Sequence, residues 1–383
     1  MCELKKLLHL FCFSLFFCIF SQAGAAELNL DKVKSGILVD ADSGVVLFEQ
    51  NSKDQLPPAS MTKIGTLLLI MEEIDQGRLK WEDEVTTSDT AAGMGGSQIY
   101  LKQGEKMTVR EMVKAISIAS ANDASVAMAE HISGSEEAFV EKMNDRIGLL
   151  DLKNTHFKNV TGLPEDGHLS SAHDMAILAK ELLKYEEITE FTGTYDDYLR
   201  QDTDPFWLVN TNKMIKSYPG ADGLKTGYTS EAKYCLTATA KRGDMRLISV
   251  IFGAESSKER NQLSAEMLNY GFTNYVTKTF NQQGETIAEA AADKGSPEKI
   301  DVVLSHSLKV IEKKNESADY QRKVSIKKNV KAPLKKGEAI GHVSVYKNGK
   351  EISRGALISK EDIKRAKWSA LFTRTWKKSF FAN

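Results

Sequence analysis

The 383 residues include 42% hydrophobic and 27% charged side chains, proportions that are ordinary for a soluble globular protein. The formal net charge of −1 at pH 7 leaves no overall basic field, which argues against nucleic acid as a partner. The length suffices for two domains with a hydrophobic core in each.

Residues 1–25 have the pattern of an export signal. Lys5 and Lys6 form a basic start, residues 7–20 are almost continuously apolar, and residues 23–25 are small enough to form a cleavage site. The apolar run is short for a membrane span, so a signal peptide that is removed is the better interpretation, with an uncleaved anchor as the alternative. Only one of the four cysteines lies beyond this segment, so the mature chain cannot form an internal disulfide.

The first predicted elements are a β-hairpin and a helix. Residues 35–40 and 45–48 are typical of two strands joined by a turn. The prolines at residues 57–58 keep the chain extended, and apolar residues at helical spacing then run over residues 61–77. Ser60 is therefore expected at the N-terminal end of a buried helix.

The middle of the chain is predicted to be mostly helical. Apolar periodicity favours helices over residues 109–118, 124–132 and 172–183. Residues 120–122 are expected to form a loop between the first two of these helices.

The helical pattern gives way to strands after residue 220. Residues 223–229, 233–240 and 247–254 are predicted as three consecutive strands, and residues 260–272 as a closing helix. A helical insert between the first hairpin and these strands predicts an α/β fold, whose antiparallel sheet is assembled from both ends of the domain. We assign this domain to residues 27–275.

The remaining chain divides into a β-rich domain, residues 276–359, and a basic tail, residues 360–383. A two-residue hairpin turn is predicted at Asn348-Gly349. The tail has a net charge of +5, and as a helix it would separate aromatic from basic side chains, which favours an anionic membrane surface as its partner. A helix docked on its own domain is the alternative. The apolar face would comprise Trp368, Leu371, Phe372, Trp376 and Phe380, opposite Lys367, Arg374, Lys377 and Lys378.

Three short motifs carry the candidate chemistry, and the first is Ser60-Met61-Thr62-Lys63. In the first turn of a helix, residues three apart share a face, so the Lys63 ammonium can reach the Ser60 hydroxyl. A desolvated Lys63, near a helix N-terminus and another lysine, can be neutral enough to accept the serine proton. Taken alone, Ser60 as a helix cap beside a solvated lysine would be the simpler interpretation.

The second and third motifs are Ser120-Ala121-Asn122 and Lys225-Thr226-Gly227. Ser120 could relay a proton to a leaving amine, while Asn122 would bind a substrate amide and hold Lys63. In the third motif, Lys225 offers charge, Thr226 a hydroxyl for a carboxylate, and Gly227 room for a substrate strand. The backbone N–H groups of Ser60 and Tyr228 are natural oxyanion donors. Each motif alone could be a plain cap or turn, but the three in this order indicate acyl transfer through a serine ester.

The ordered motifs resemble those of low-molecular-weight penicillin-binding proteins that act as D-alanyl-D-alanine carboxypeptidases, of the Gram-positive, sporulation-associated type. The resemblance extends over almost the whole chain and implies a β-lactamase/D,D-peptidase-like domain. It implies that Ser60 attacks the bond between two D-alanines of a peptidoglycan stem peptide and that β-lactam antibiotics acylate the same serine. The seven histidines are scattered, and the sequence has neither a His-Glu-x-x-His motif nor a glycine-rich phosphate loop, so no metal or cofactor is expected. Such a protein would act at the outer face of the cytoplasmic membrane.

The resemblance also assigns Arg260 to the binding of the substrate carboxylate, with a helix-cap charge at the solvent face as the alternative. Some relatives carry a second arginine near residues 210–212, where this chain offers only Lys213. His168 lies in a glycine-bounded loop and is expected to be exposed rather than part of the site.

Two other functions compete with this interpretation. A class A-like β-lactamase needs a glutamate and an asparagine to activate the deacylating water, but Glu165 is followed at the fourth position by Leu169. A non-catalytic peptidoglycan-binding or penicillin-sensing module is the second, and a broken motif would favour it. All three motifs are intact.

Overall fold

The structure is a computed structural model that describes residues 28–316 and 318–381. The export signal predicted for residues 1–25 lies outside the described residues. The described chain forms a mixed α/β part that extends to Asn274, then a part built of strands, and finally one helix.

The strands of the α/β part form one sheet of five strands and two sheets of two strands. In chain order they are β1 (Ser35–Asp40), β2 (Val46–Gln50), β3 (Glu84–Thr86), β4 (Lys106–Thr108), β5 (Asp196–Leu199), β6 (Phe206–Val209), β7 (Ala221–Thr229), β8 (Lys233–Arg242) and β9 (Met245–Ala254).

Helices surround the five-stranded sheet. In chain order they are α1 (Lys63–Asp75), α2 (Asp89–Ala92), α3 (Val109–Lys114), α4 (Asn122–Ser133), α5 (Glu136–Leu149), α6 (Ala172–Leu182), α7 (Ile188–Thr192), α8 (Met214–Ser217) and α9 (Ser257–Asn274). A 3₁₀ turn, Ala59–Thr62, precedes α1, and a π turn, Ala115–Ala119, continues α3.

The five strands have the order β2-β1-β9-β8-β7, and every neighbouring pair is antiparallel. The sheet is therefore assembled from both ends of the α/β part, as predicted. Successive side chains in a strand point to opposite faces. Ile37 accordingly packs in one hydrophobic core with residues of α6, while Leu38 packs in a second core with residues of α9. Both faces of the sheet are covered, and β7 is left at one edge.

The part built of strands begins with β10 and contains a six-stranded sheet. Its strands are β10 (Tyr275–Asn281), β11 (Thr286–Asp293), β12 (Gly295–Ser296), β13 (Lys299–Leu304), β14 (Leu308–Lys313), β15 (Tyr320–Ile326), β16 (Val330–Lys331), β17 (Ala339–Lys347), β18 (Lys350–Ser359) and β19 (Lys364–Arg365).

The hairpin turn predicted between β17 and β18 is confirmed. Lys347 pairs with Lys350, so the turn has two residues, Asn348 and Gly349, with φ angles of 51° and 77°. Positive φ at both central positions is what such a turn requires.

Strand β14 joins this part to the α/β part. Its Ile311 belongs to the same hydrophobic core as α9. The Lys309 Nζ lies 3.1 Å from the Asp42 Oδ2 and donates to the Asp244 carbonyl oxygen at 3.3 Å. One strand thus supplies both an apolar and a charged contact across the junction.

The last described element is α10 (Trp368–Phe381). Among the residues that the structure describes, no helix is long and apolar enough to cross a membrane.

Candidate active site

Ser60 and Lys63 lie in one tight turn of the backbone. Ser60 belongs to the 3₁₀ turn and α1 begins only at Lys63, so the α-helical first turn predicted around Ser60 is wrong in type. Three residues per turn bring positions i and i+3 to the same side of a 3₁₀ helix. The Lys63 Nζ lies 3.1 Å from the Ser60 Oγ, which is the contact expected from the spacing.

The surroundings of Lys63 favour its neutral form. The side chain is fully buried, and its Nζ donates to the Asn122 Oδ1 and to the Thr161 carbonyl oxygen, both at 2.7 Å. Burial, helped by the charge of Lys225, holds the pKa of Lys63 well below 10.5. A neutral amine has two hydrogens, and the two acceptors take both, so its lone pair faces the Ser60 Oγ. Lys63 can therefore accept the serine proton.

Backbone groups orient Asn122. Its Nδ2 donates to the Gly95 carbonyl oxygen at 2.7 Å, which leaves the Oδ1 for Lys63. Its backbone N–H donates to the Ser97 carbonyl oxygen, also at 2.7 Å. Asn122 is the first residue of α4 rather than part of a loop, so the loop predicted for residues 120–122 is shorter than expected.

Ser120 ends the π turn that precedes α4. Its side chain is buried and its φ of 64° lies in the left-handed region, which is uncommon for a residue with a side chain. Single π turns inside helices are frequently found at functional sites. The sequence shows only apolar periodicity here and did not predict the π turn.

The edge strand β7 passes directly beside the Ser60 turn. A Cβ at Gly227 would lie 2.7 Å from the Pro58 carbonyl oxygen and 3.2 Å from the Ser60 backbone nitrogen. Glycine is thus required because the turn before Ser60 approaches it, a reason that the sequence did not suggest. The backbone around Gly227 and Tyr228 consequently runs alongside the Ser60 N–H. The Tyr228 ring is exposed and packs on Tyr234, with ring centroids 4.5 Å apart.

Lys225 and Arg260 create a buried positive field behind β7. Burial and the charge of Arg260 lower the pKa of Lys225 to about 7. Arg260 is only 4% exposed, so a capping charge at the solvent face is the wrong description of this residue. Its Nε and Nη2 donate to the Asn261 Oδ1, and burial lowers its pKa to about 10.

The sequence did not predict the roles of three residues near the site, namely Thr161, His168 and Thr211. The Thr226 hydroxyl donates to the Thr211 Oγ1 at 2.8 Å, and the Thr161 carbonyl binds Lys63. His168 is 3% exposed, so the expectation of an exposed loop histidine is wrong. These residues are far from their partners in the sequence, and only the fold brings them together.

The opposite requirements of the two lysines predict a bell-shaped dependence of kcat/KM on pH. Acylation should rise with pH as Lys63 loses its proton, at a pKa well below 10.5. The sequence predicts that Lys225 attracts a substrate carboxylate, and this attraction needs the charged form of Lys225, which is lost as the pH rises past about 7. A bound carboxylate stabilises that charge, so the descending limb should lie at higher pH in kcat than in kcat/KM.

Steady-state rates of substrate turnover, measured at intervals from about pH 5 to 10, test this pH dependence. Descending limbs at the same pH in kcat and in kcat/KM would contradict a direct role of the Lys225 charge in substrate binding.

Two family models match successive parts of the chain. One, described as D-alanyl-D-alanine carboxypeptidase, matches residues 23–256. The other, described as penicillin-binding protein 5, C-terminal domain, matches residues 275–365.

Curated and solved relatives match most of the chain. D-alanyl-D-alanine carboxypeptidase DacF of Bacillus subtilis strain 168 is 54% identical over 346 residues, which cover 90% of this chain and 89% of the relative. The structure of penicillin-binding protein 5 from Haemophilus influenzae has a TM-score of 0.69 and 30% identity, covering 88% of this chain and 98% of that chain. The ampicillin-bound penicillin-binding protein D2 from Listeria monocytogenes has a TM-score of 0.58 and 29% identity, covering 64% of this chain and 99% of that chain. The 54% identity to the Bacillus subtilis protein supports the Gram-positive type, whereas the association with sporulation stays a prediction.

Proposed function

Since the chain belongs to the D-alanyl-D-alanine carboxypeptidase family, we propose that Ser60, Lys63 and Ser120 carry out its reaction. The protein is a low-molecular-weight penicillin-binding protein, a serine hydrolase that removes the terminal D-alanine of peptidoglycan stem peptides. One observation supports Ser60 as the acylated residue. Its Oγ lies 3.1 Å from the Nζ of Lys63, whose other two hydrogen-bond partners are the Asn122 Oδ1 and the Thr161 carbonyl oxygen.

In the proposed reaction, Ser60 gives its proton to Lys63 and attacks the carbonyl carbon between the two D-alanines. The oxyanion accepts hydrogen bonds from the backbone N–H groups of Ser60 and Tyr228. Ser120 relays the proton from Lys63 to the amine of the departing D-alanine, while Asn122 binds an amide of the stem peptide. A water molecule then gives a proton to Lys63 and attacks the ester carbonyl, and Lys63 passes this proton to the Ser60 Oγ as the ester bond breaks.

The substrate is proposed to lie along β7 as an additional strand, with its terminal carboxylate at the third motif. The ammonium of Lys225 attracts this carboxylate. The Thr226 hydroxyl, which donates to Thr211 in the free protein, can turn and donate to the carboxylate instead. Arg260 strengthens the positive field from behind the strand, and Gly227 keeps the path along β7 open.

A direct test combines product analysis with mapping of the acylated residue. Incubation with a peptide that ends in D-Ala-D-Ala should release free D-alanine. Penicillin should form a stable adduct, and peptide mass spectrometry should locate it on Ser60. An adduct on any other residue would overturn the assignment.

A class A-like β-lactamase would need a paired glutamate and asparagine to activate water, and the residues around Glu165 do not form this pair. The side chain of Glu165 accepts a hydrogen bond from the Asn159 Nδ2 at 3.2 Å, and Leu169 stands where the paired asparagine would be. A purely binding module would have no need for the buried Lys63 and its contact with Ser60. Both alternatives are therefore weaker than a carboxypeptidase.

We further propose that residues 27–275 form the catalytic domain, residues 276–359 a separate domain, and α10 an attachment to the outer face of the cytoplasmic membrane. Trp368, Phe372 and Trp376 are 78%, 54% and 54% exposed. The rings of the first two lie 5.5 Å apart, and those of the last two 6.2 Å apart. Such an exposed aromatic row suits the interfacial region of a bilayer.

Contacts of α10 with the preceding domain also support an outward-facing aromatic row. The Arg374 Nη1 donates to the Gly295 carbonyl oxygen at 2.8 Å, and the Nε lies 3.5 Å from the Glu298 Oε2. This arginine ties the helix to the domain while the aromatic row stays exposed. The two interpretations left open by the sequence are therefore compatible, because one side of the helix can dock while another faces lipid.

Removing α10 should abolish membrane binding and spare catalysis. The cut belongs after Lys367, because Ile363 is buried and β19 pairs with β12. Mature protein that ends at Lys367 should no longer sediment with anionic vesicles, since it lacks the aromatic row. It should release D-alanine from a soluble peptide within about twofold of the intact protein, because the cut lies outside the catalytic domain.

The matched control for this truncation replaces Trp368, Phe372 and Trp376 with serine and keeps every basic residue of the tail. Loss of sedimentation in this variant assigns binding to the aromatic row rather than to charge alone. Unchanged sedimentation of the truncated protein would refute the anchor.

A further inference from the structure

His168 is a buried ring that the proposed reaction does not use. Its Nε2 lies 2.7 Å from the Oγ1 of Thr62, the third residue of the first motif. Its Nδ1 accepts a hydrogen bond from the Lys158 backbone N–H at 3.0 Å. The ring stacks on Phe157, with centroids 5.3 Å apart. Both nitrogens and the ring face are thus engaged.

These contacts define the protonation state of the ring. The Lys158 N–H can only donate, so the Nδ1 must carry a lone pair and the Nε2 must carry the hydrogen. Burial lowers the pKa of His168 to about 4, so the ring is neutral at neutral pH. The Nε2–H therefore donates to the Thr62 Oγ1. The Thr62 hydroxyl in turn donates to the Ala59 carbonyl oxygen at 2.9 Å.

We call this chain of hydrogen bonds, from His168 through Thr62 to the Ala59 carbonyl, the relay. It ends on the peptide group that precedes the nucleophile. Ala59 has a φ of 48°, a left-handed conformation that is unfavourable for alanine and needs support from its surroundings. Gly162 packs so closely that a Cβ there would lie 1.9 Å from the Ala59 carbonyl oxygen. The peptide group is planar and its C=O and N–H point in opposite directions, so holding the Ala59 carbonyl also aims the Ser60 N–H.

We propose that His168 is a positioning residue that acts through Thr62 to hold the Ala59–Ser60 peptide with its N–H directed at the oxyanion. The inference rests on the proposed function, in which that N–H is an oxyanion donor. The hydrogen bonds of His168 go to Thr62 and Lys158 rather than to Ser60 or Lys63, so its effect on the reaction is indirect. Its loss should slow the chemical step and leave the initial, non-covalent binding of substrate or penicillin unchanged.

Two matched pairs of variants separate this role from simple packing. His168→Gln can present an N–H and a carbonyl oxygen at nearly the spacing of the two ring nitrogens. His168→Phe keeps an aromatic ring on Phe157 but has neither group. In the same way, Thr62→Ser keeps the hydroxyl, whereas Thr62→Val keeps the shape and removes it.

The measurement is stopped-flow acylation by penicillin, which gives the acylation rate constant and the dissociation constant of the non-covalent complex. We expect His168→Phe and Thr62→Val each to lower the rate constant by about 10- to 100-fold, less than the loss of a whole oxyanion donor. The dissociation constant should stay within about threefold in all variants, and His168→Gln and Thr62→Ser within about threefold of the intact protein in rate. The double variant that combines His168→Phe with Thr62→Val should be no slower than the slower single variant, because either substitution alone already breaks the same relay.

Equal loss of rate in His168→Gln and His168→Phe would overturn the proposal, as would strictly additive effects in the double variant. If His168→Phe does not fold, the Thr62 pair decides alone. Mass spectrometry of every adduct distinguishes a failure of the proposed function from a failure of the relay. An adduct away from Ser60 would contradict the proposed function rather than the relay.

Discussion

Replacing Ser60 with alanine should abolish both D-alanine release and labelling by fluorescent penicillin. The Ser60 Oγ is the atom that would form the ester. Lys63 Nζ also makes hydrogen bonds to the Asn122 amide and the Thr161 carbonyl, but neither of these groups can replace Ser60 as a nucleophile. Removing a catalytic nucleophile costs on the order of 10⁵- to 10⁶-fold in kcat. D-alanine should therefore fall to the level of a blank without protein.

The matched control is Ser135→Ala, since Ser135 is another half-buried serine at a helix start. Its side chain caps α5 by accepting a hydrogen bond from the Ala138 N–H at 3.2 Å. Its loss should cost about 1 kcal/mol of unfolding free energy and leave labelling intact. Persistent labelling of Ser60→Ala would exclude Ser60 as the nucleophile.

Replacing Lys63 with arginine should lower the rate of acylation by about 10²- to 10⁴-fold. Arginine keeps the positive charge and the ability to donate, but its guanidinium does not deprotonate in proteins, so it offers no base. The intact Lys63 is poised by burial and by Lys225, both of which lower its pKa. In the variant, the rise of activity with pH that reflects this deprotonation should disappear.

Lys180→Arg provides the comparison for this variant, because burial also lowers the pKa of Lys180, outside the site. It should acylate like the intact protein. Thermal unfolding of both variants separates a loss of fold from a loss of base. A Lys63→Arg protein that acylates at the normal rate and with the normal pH profile would exclude Lys63 as the base.

The sheet and the three motifs could be predicted because each leaves a local signature. Alternating and continuous apolar runs indicated β1 and β7 to β9, and the two-residue turn after β17 has the Asn-Gly pair that its positive φ angles require. Ser60 and Lys63 could be paired because a spacing of three has the same meaning in any helix.

The backbone type around the nucleophile could not be predicted. Over four residues, a 3₁₀ turn and an α-helix have the same apolar spacing. Which of the two forms depends here on Gly162 and Gly227, which pack closely against the turn from distant parts of the chain. The burial of His168 likewise depends on Thr62, 106 residues away. Such contacts exist only once the tertiary structure has formed, and the flanking glycines made an exposed loop the natural expectation.

Strand β9 lies between β1 and β8 and so joins parts of the chain that are far apart in the sequence. The turn that carries Ser60 follows the N-terminal hairpin, and Lys225 lies on a strand synthesised much later. Within the five-stranded sheet, β9 pairs with β1 on one side and with β8 on the other, so it joins the two halves of the sheet. The site around Ser60 is therefore expected to form only after strands from both ends of the α/β part have paired.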